Sequence, residues 1–374
     1  MWHLHLKTLG GCRVYSVLDQ YRQRVWINVF LSIVDLLFLF FFAFCSLFVV
    51  RKGAKLAGLV DHPSGRKQHQ DVTPLAGGIA LCITILYLLF HNPDLLVNSP
   101  LYVICIVILT TVGAIDDKYD VHYTVRFGLQ AILSIAMMTL GNIELNNLGN
   151  ILGWGDIYLG GWGYLVTTIA VIASINAFNM VDGIDGLLGC LSVVTFGSLA
   201  WILKSDGQQT LAYFCLALVV AILPYILLNL GVLGRKRKVF MGDAGSMLVG
   251  FTVIWVLLLS SQNGQKPPLQ PVTALWLIAV PLMDMVTLTI RRIRRGDSPF
   301  KPDREHLHHL FQNMGLSPRQ TLIAIITIAL CYAGIGIYAE LKNIPDYIML
   351  YLYIFLFLIY YFFVHCIQRK ILSR

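Results

Sequence analysis

Apolar runs long enough to cross a bilayer recur along almost the whole chain, separated by short polar connections. The clearest, Val29–Val50 and Asp346–Cys366, are nearly free of charge, and each has roughly the 20 residues that about 30 Å of hydrocarbon demands of a helix. The pattern predicts spans at about 27–50, 74–91, 101–115, 126–141, 162–178, 187–203, 210–230, 244–260, 272–290, 319–339 and 347–367. The expected fold is all-α, a polytopic membrane helical bundle of about eleven transmembrane helices, in a single domain over 27–374. Residues 1–26 form an N-terminal extension with no assigned role. They carry Lys7, Arg13, Arg22 and Arg24 but lack the apolar core of a signal peptide ahead of the first span.

Composition narrows the class. The 374 residues are 57% apolar and 13% charged with a mean hydropathy of +0.71, whereas soluble chains carry about 25% charged residues. Cys45, Cys82, Cys105, Cys190, Cys215, Cys331 and Cys366 fall inside apolar stretches and no CxxC pair occurs, so they read as small buried hydrophobes rather than ligands or disulfide partners. The net charge of +8 reads as membrane topology rather than nucleic-acid binding, because of where the charges lie. Lys and Arg crowd the connections after odd-numbered spans and the C-terminal tail, while those after even-numbered spans hold only Lys204, Lys266 and Lys342. The positive-inside rule puts the crowded set in the cytoplasm. The N-terminus then lies outside, against its own four basic residues.

The unusual polar clusters fall in the same crowded connections, so five loops would converge on one face. Polar groups at span ends are costly unless paired or used. Asp116-Asp117-Lys118-Tyr119-Asp120 closes span 3, and at helical spacing Asp116 and Asp120 share a face while Asp117 meets Asp120. Three such carboxylates call for a divalent cation or cationic neighbours. Lys118 and Arg126 are the counter-charges if the cluster is merely a solvated helix end. From Asn176 to Gly186, spacings of three and four put Asn179, Asp182 and Gly186 on one helical face with Asp185 beside it, and Gly183 and Gly186 permit close backbone approach to a ligand. Asp243, between Gly242 and Gly245 at the start of span 8, suits a metal bridging phosphates, with helix N–H groups aimed at the anion; an N-cap is the plainer alternative. The loop from Arg291 to His309 gathers arginines with His306, His308 and His309 into an anion site, since guanidinium forks match phosphate oxygens. Zinc is disfavoured there, as no cysteine accompanies the histidines and the arginines repel a cation. Positive-inside anchoring accounts for part of the run Arg291–Arg295.

Together these motifs resemble the polyprenyl-phosphate N-acetylhexosamine 1-phosphate transferases. The likeness runs from about Arg51 to Arg319 and rests on Asp116-Asp117 with Asp120, Asn176–Leu188, Val239–Gly250, Pro281-Leu-Met-Asp284 and His306-Leu-His308-His309. The last motif, in place of three consecutive histidines, favours the GlcNAc branch that initiates O-antigen and enterobacterial common antigen over the branch using UDP-muramoyl-pentapeptide. The resemblance implies transfer of GlcNAc-1-phosphate from UDP-GlcNAc to undecaprenyl phosphate with release of UMP, in a bacterial inner membrane and with the active site facing the cytoplasm. It implies Mg2+ or Mn2+ on the pyrophosphate and is compatible with a homodimer. Asp116, Asp117, Asp182 and Asp185 are then the expected catalytic acids. Asp243 is the surest metal ligand, assisted by Asn179 or Asp117, and Asp116 is placed on the lipid-phosphate side. Asn179, Asp120, Arg292, Arg304, His306, His308 and His309 are expected to touch substrate. A phosphate monoester is largely dianionic at neutral pH, with a second pKa of about 6, so direct attack is favoured over an Asp-linked intermediate.

Two other classes compete. An ion-coupled transporter would place polar residues at the midplane, yet Asp35 and Asp284 are the only acids inside predicted spans and no internal repeat is visible. Asp116–Asp120 also reads DDxxD, as in a prenyltransferase, but that chemistry wants a second Asp-rich motif and leaves the histidine–arginine loop unused.

Overall fold

A computed structural model describes residues 33–61, 72–262, 267–298 and 305–372. The extension at 1–26 and Arg304 lie outside these. The described chain runs through α1 (Ile33–Leu56), a short β1–β2 pair (Val60–Asp61 with Thr73–Pro74), α2 (Gly77–His91), α3 (Ser99–Tyr119), α4 (Tyr123–Gly141), α5 (Gly163–Met180), α6 (Leu187–Ser205), α7 (Gln209–Asn229) and α8 (Gly242–Ser261). There follow α9 (Pro271–Leu277), α10 (Ala279–Arg294), α11 (Leu307–Asn313), α12 (Pro318–Leu341) and α13 (Asp346–Leu372). Nine of the described helices are long and apolar enough to cross a membrane. The expectation of about eleven spans is met only by adding the 15-residue α2 and counting α9 and α10 as one.

That last pair corrects the straight span expected at 272–290, because α9 and α10 meet at 85°. Pro281 has no N–H to offer the Leu277 carbonyl, so a continuous helix would leave that carbonyl orphaned in a dry interior. The chain bends at Ile278, and the Thr195 hydroxyl on α6 donates to Leu277 O at 3.1 Å.

At the centre stands α8, with 94% of its apolar window buried against 17% for α1 and α13. Small residues let its neighbours come close, as packing in lipid favours. Gly78 on α2 faces the Gly245 backbone, and a Cβ on Gly113 of α3 would lie 2.5 Å from Ala244 Cα. A Cβ on Gly250 would lie 2.6 Å from Ile175 Cα of α5. Polar seams join the same helices: Tyr102 pairs with Thr252 at 2.7 Å, and the Ser174 hydroxyl donates to Gly250 O at 2.8 Å.

The connections sort to two ends. At one, the amides of Gly77 and Gly78 donate to Phe240 O (2.9 Å) and Met241 O (3.0 Å), Lys118 Nζ donates to Ala57 O (3.0 Å), and Arg51 donates to Lys236 O. The connections after α1, α3 and α7 are therefore tied together. At the other end, Gln262 accepts from Asn146 N and Asn147 N at 3.0 Å, and the Asp346 carboxylate accepts from Asn150 N at 3.0 Å. This alternation is the one that the charge distribution called for.

Candidate active site

The first end holds a cavity of about 750 Å3, lined among others by Asp61, Asp117, Asn179, Asp182, Asp185, Asp243 and His309. Asp117 arrives on the last turn of α3 and accepts from Asp243 N at 2.8 Å and Ala244 N at 3.2 Å, capping α8 from a neighbouring helix. Those two N–H groups are thus already taken by a carboxylate, not aimed at a phosphate as expected.

Asp116 points the other way. Only 2% of its side chain is exposed; Oδ2 accepts from Arg126 Nη1 at 2.5 Å and Oδ1 from Val121 N at 2.7 Å. The same Arg126 nitrogen reaches Asp243 Oδ2 at 3.1 Å, so one guanidinium on α4 bridges two acids. Asp116 is not among the residues that line the cavity; Arg126 links it to Asp243, which is. The shared face of Asp116 and Asp120 is corrected. The helix ends at Tyr119, and Asp120 turns into the left-handed region (φ 51°) with its side chain exposed, outside the cavity.

Asn179, one residue from the end of α5, donates through Nδ2 to Asp243 Oδ1 (2.7 Å) and Ser246 Oγ (2.8 Å). The helix does not continue to Asp182 and Gly186 as expected. It stops at Met180, and Gly186 (φ 80°) opens α6. Both acids still reach the cavity: Lys238 Nζ donates to Asp185 Oδ2 at 2.6 Å, while the Asp182 carboxylate has no hydrogen-bond or ion-pair partner among the described residues. Gly183 lines the cavity with its backbone, while the side where a Cβ would stand is filled by the His308 ring, whose Nε2 would collide with it.

The histidines separate. His306 Nδ1 lies 2.9 Å from Asp284 Oδ2, the His306 and His308 rings stack at 5.5 Å, and His308 packs on His309 at 4.2 Å. Burial, with the His309 and His306 charges after it, pushes the His308 imidazole down to about 3, so it is neutral at pH 7. Among the three histidines expected to touch substrate, only His309 lines the cavity; His306 and His308 stand behind it. Arg292 is 4% exposed within α10 and absent from the cavity lining. Arg291 and Arg295 pair with Glu305 at 3.1 and 2.5 Å, so the run Arg291–Arg295 binds its own loop together.

Sequence reasoning missed Asp61, assigned Arg126 only as a possible counter-charge, and gave Asp284 no role. The signal for Asp284 was present: an acid inside an apolar span needs a partner.

Among the described residues no three Asp, Glu, His or Cys side chains stand close enough to hold one ion between them. The donor set nonetheless fits a hard cation, since Asp117, Asp182, Asp243 and the Asn179 amide can offer oxygen ligands to one cavity and the Asp182 carboxylate lacks a partner among the described residues. Burial, then the charges of Asp117 and Asp185, push the Asp182 carboxyl from 3.8 up to about 7. The folded state therefore holds a proton that the unfolded chain releases, and this residue's share of stability is lost as pH rises from 3.8 to about 7. In metal-free detergent, Asp182→Asn should flatten the pH dependence of Tm between about 5 and 8 and raise Tm at the upper limit. Parallel curves for variant and wild type would count against a proton held there.

The fold and the cavity define the class: a multi-pass integral membrane protein with an acid-ringed cavity at its basic polar end. Comparison with known proteins narrows it. The family model described as glycosyl transferase family 4 matches residues 99–261. The undecaprenyl-phosphate alpha-N-acetylglucosaminyl 1-phosphate transferase of Escherichia coli O157:H7 is 48% identical over 340 residues, 90% of each chain. The protein of that name from Yersinia pestis is 47% identical over 343 residues, 91% of this chain and 93% of its own. That from Haemophilus influenzae is 48% identical over 319 residues, 85% of this chain and 90% of its own. The chain belongs to glycosyl transferase family 4 and is an enzyme of that type, as the motifs at Asp116, Asn176, Val239 and His306 implied.

Proposed function

We propose that the chain transfers GlcNAc-1-phosphate from UDP-GlcNAc to undecaprenyl phosphate, releasing UMP, as the first membrane step of a cell-surface polysaccharide. The carrying observation is that the residues expected to do this work arrive from α3, α5, the α5–α6 connection, α8 and α11, yet Asp117, Asn179, Asp182, Asp185, Asp243 and His309 border one cavity. Full-length likeness to relatives named for that transfer supports it.

Two anionic substrates must meet there, so catalysis is mostly positioning and charge neutralisation. Asp243, Asp117 and Asn179 are the residues that would hold Mg2+ or Mn2+, which when bound offsets pyrophosphate charge. Arg126 fixes Asp243 from behind, and Asn179 fixes it from the side. Asp185, held by Lys238, borders the same space. The lipid phosphate brings its own nucleophilic oxygen, so no residue need remove a proton from it.

Purified protein given undecaprenyl phosphate and a panel of UDP-sugars should release UMP, preferring UDP-GlcNAc to UDP-MurNAc-pentapeptide. Omitting the lipid or adding excess EDTA should stop it. Release that continues in EDTA ends the metal assignment, pentapeptide-bearing product reverses the donor, and preference for UDP-GalNAc changes only the sugar.

The cavity end is assigned to the cytoplasm of a bacterial inner membrane, supported by the basic residues gathered there. In a background free of native cysteines, Ser298→Cys should resist an impermeant maleimide in intact cells and Ser205→Cys should react. The reverse pattern would put the cavity on the side without nucleotide sugars.

A further inference from the structure

We infer that Asp284 and Tyr360 are positioning residues that set the histidine segment against the cavity and so govern binding of the nucleotide-sugar donor. This rests on the reading of the cavity as a donor site.

The Asp284 side chain is almost fully buried on α10, and both its oxygens are used. Oδ1 accepts from Leu307 N at 3.0 Å and from the Tyr360 hydroxyl at 2.9 Å, and Oδ2 faces His306 Nδ1 at 2.9 Å. An ionised carboxylate only accepts, so His306 must carry its proton on Nδ1. Three separate pieces of chain, α10, the start of α11 and α13, therefore meet at one carboxylate. From there contact runs in one direction: His306 stacks on His308 with the rings 9° from parallel, His308 seats on Gly183, and His309 opens into the cavity. Asp284 and Tyr360 are not among the cavity-lining residues, so neither is a catalytic residue. Their position explains why an acid stands inside an apolar helix, where it is costly unless used.

Asp284→Asn keeps one acceptor oxygen for Leu307 N and the Tyr360 hydroxyl but removes the charge and sets an amide donor against His306 Nδ1, and a buried donor left without its acceptor carries a large penalty. Tyr360→Phe removes one hydroxyl and keeps the ring. The test measures hydrogen exchange over 305–316 and KM for each substrate in full-length protein in detergent. Both variants should speed exchange in that segment. Asp284→Asn should raise the UDP-GlcNAc KM roughly tenfold or more and Tyr360→Phe by less, with the undecaprenyl phosphate KM within about twofold of wild type. Asp284→Glu should recover part of the loss. Equal rises in both KM values, or faster exchange with an unchanged donor KM, overturn the inference and leave the proposed function standing. Wild-type protein that neither binds nor uses UDP-GlcNAc overturns the proposed function, and exchange unchanged in both variants overturns the positioning on its own.

Discussion

Asp243→Asn is expected to lower turnover roughly a hundred- to thousandfold and to raise the divalent-cation concentration giving half of the remaining activity. The side chain is the meeting point of the site. Its oxygens receive Arg126 at 3.1 Å and Asn179 at 2.7 Å, and its own N–H is held by Asp117 at 2.8 Å. An amide is nearly the same shape, so α8 should hold its place. What is lost is the negative charge that a hard cation and a guanidinium both require. Asp116→Asn gives the contrast. Asp116 faces Arg126 from outside the cavity, so its loss should loosen Arg126 and cost about tenfold, mainly in kcat, with a smaller change in metal requirement. Titrating Mg2+ and UDP-GlcNAc against both variants decides it. An equal shift in metal requirement would make Asp116 a ligand, against its burial behind Arg126.

The second large effect is on the fold. Gly78→Ala should destabilise the protein by about 3 kcal/mol or more, at the upper end for an overpacked core. A Cβ on Gly78 would sit inside the backbone of Gly245, and backbone cannot turn aside as a long side chain can. Displacing Gly245 moves Asp243, two residues away, so activity and Tm should fall together. Gly128→Ala is the control. It lies on an exposed face of α4 with nothing within 4 Å of its Cβ position, and it should be neutral or stabilise by roughly 0.5–1 kcal/mol. Thermal unfolding of both variants in detergent measures the difference; a Gly78→Ala protein as stable as wild type would disprove the close packing.

Much of this was legible because membrane insertion writes itself into composition. Runs such as Val29–Val50 need no partner to be recognised, and basic residues mark which connections lie together. The acids were legible as a set for a related reason: carboxylates at span ends are expensive. Direction was not legible. Asp116 and Asp117 are adjacent, yet one meets Arg126 and the other the start of α8, and only the packed helices decide which. The pairing of Asp284 with His306 spans 22 residues and a sharp bend, beyond any local rule. The bend itself had one cue, Pro281, which many spanning helices tolerate.

The enclosure of α8 has a consequence for biogenesis. Of the helices that wrap it, α2, α3, α5 and α6 all leave the ribosome first. They enter the bilayer as independent helices and cannot reach final spacing while the axial place is empty. The arrival of α8 therefore draws these four helices together and delivers Asp243 to Asp117 in the same event, before α11 brings His309 to the cavity. Polypeptides interrupted before residue 242 would be inserted in the bilayer yet inert, so the nascent chain acquires chemistry only after most of its length has been committed to the membrane.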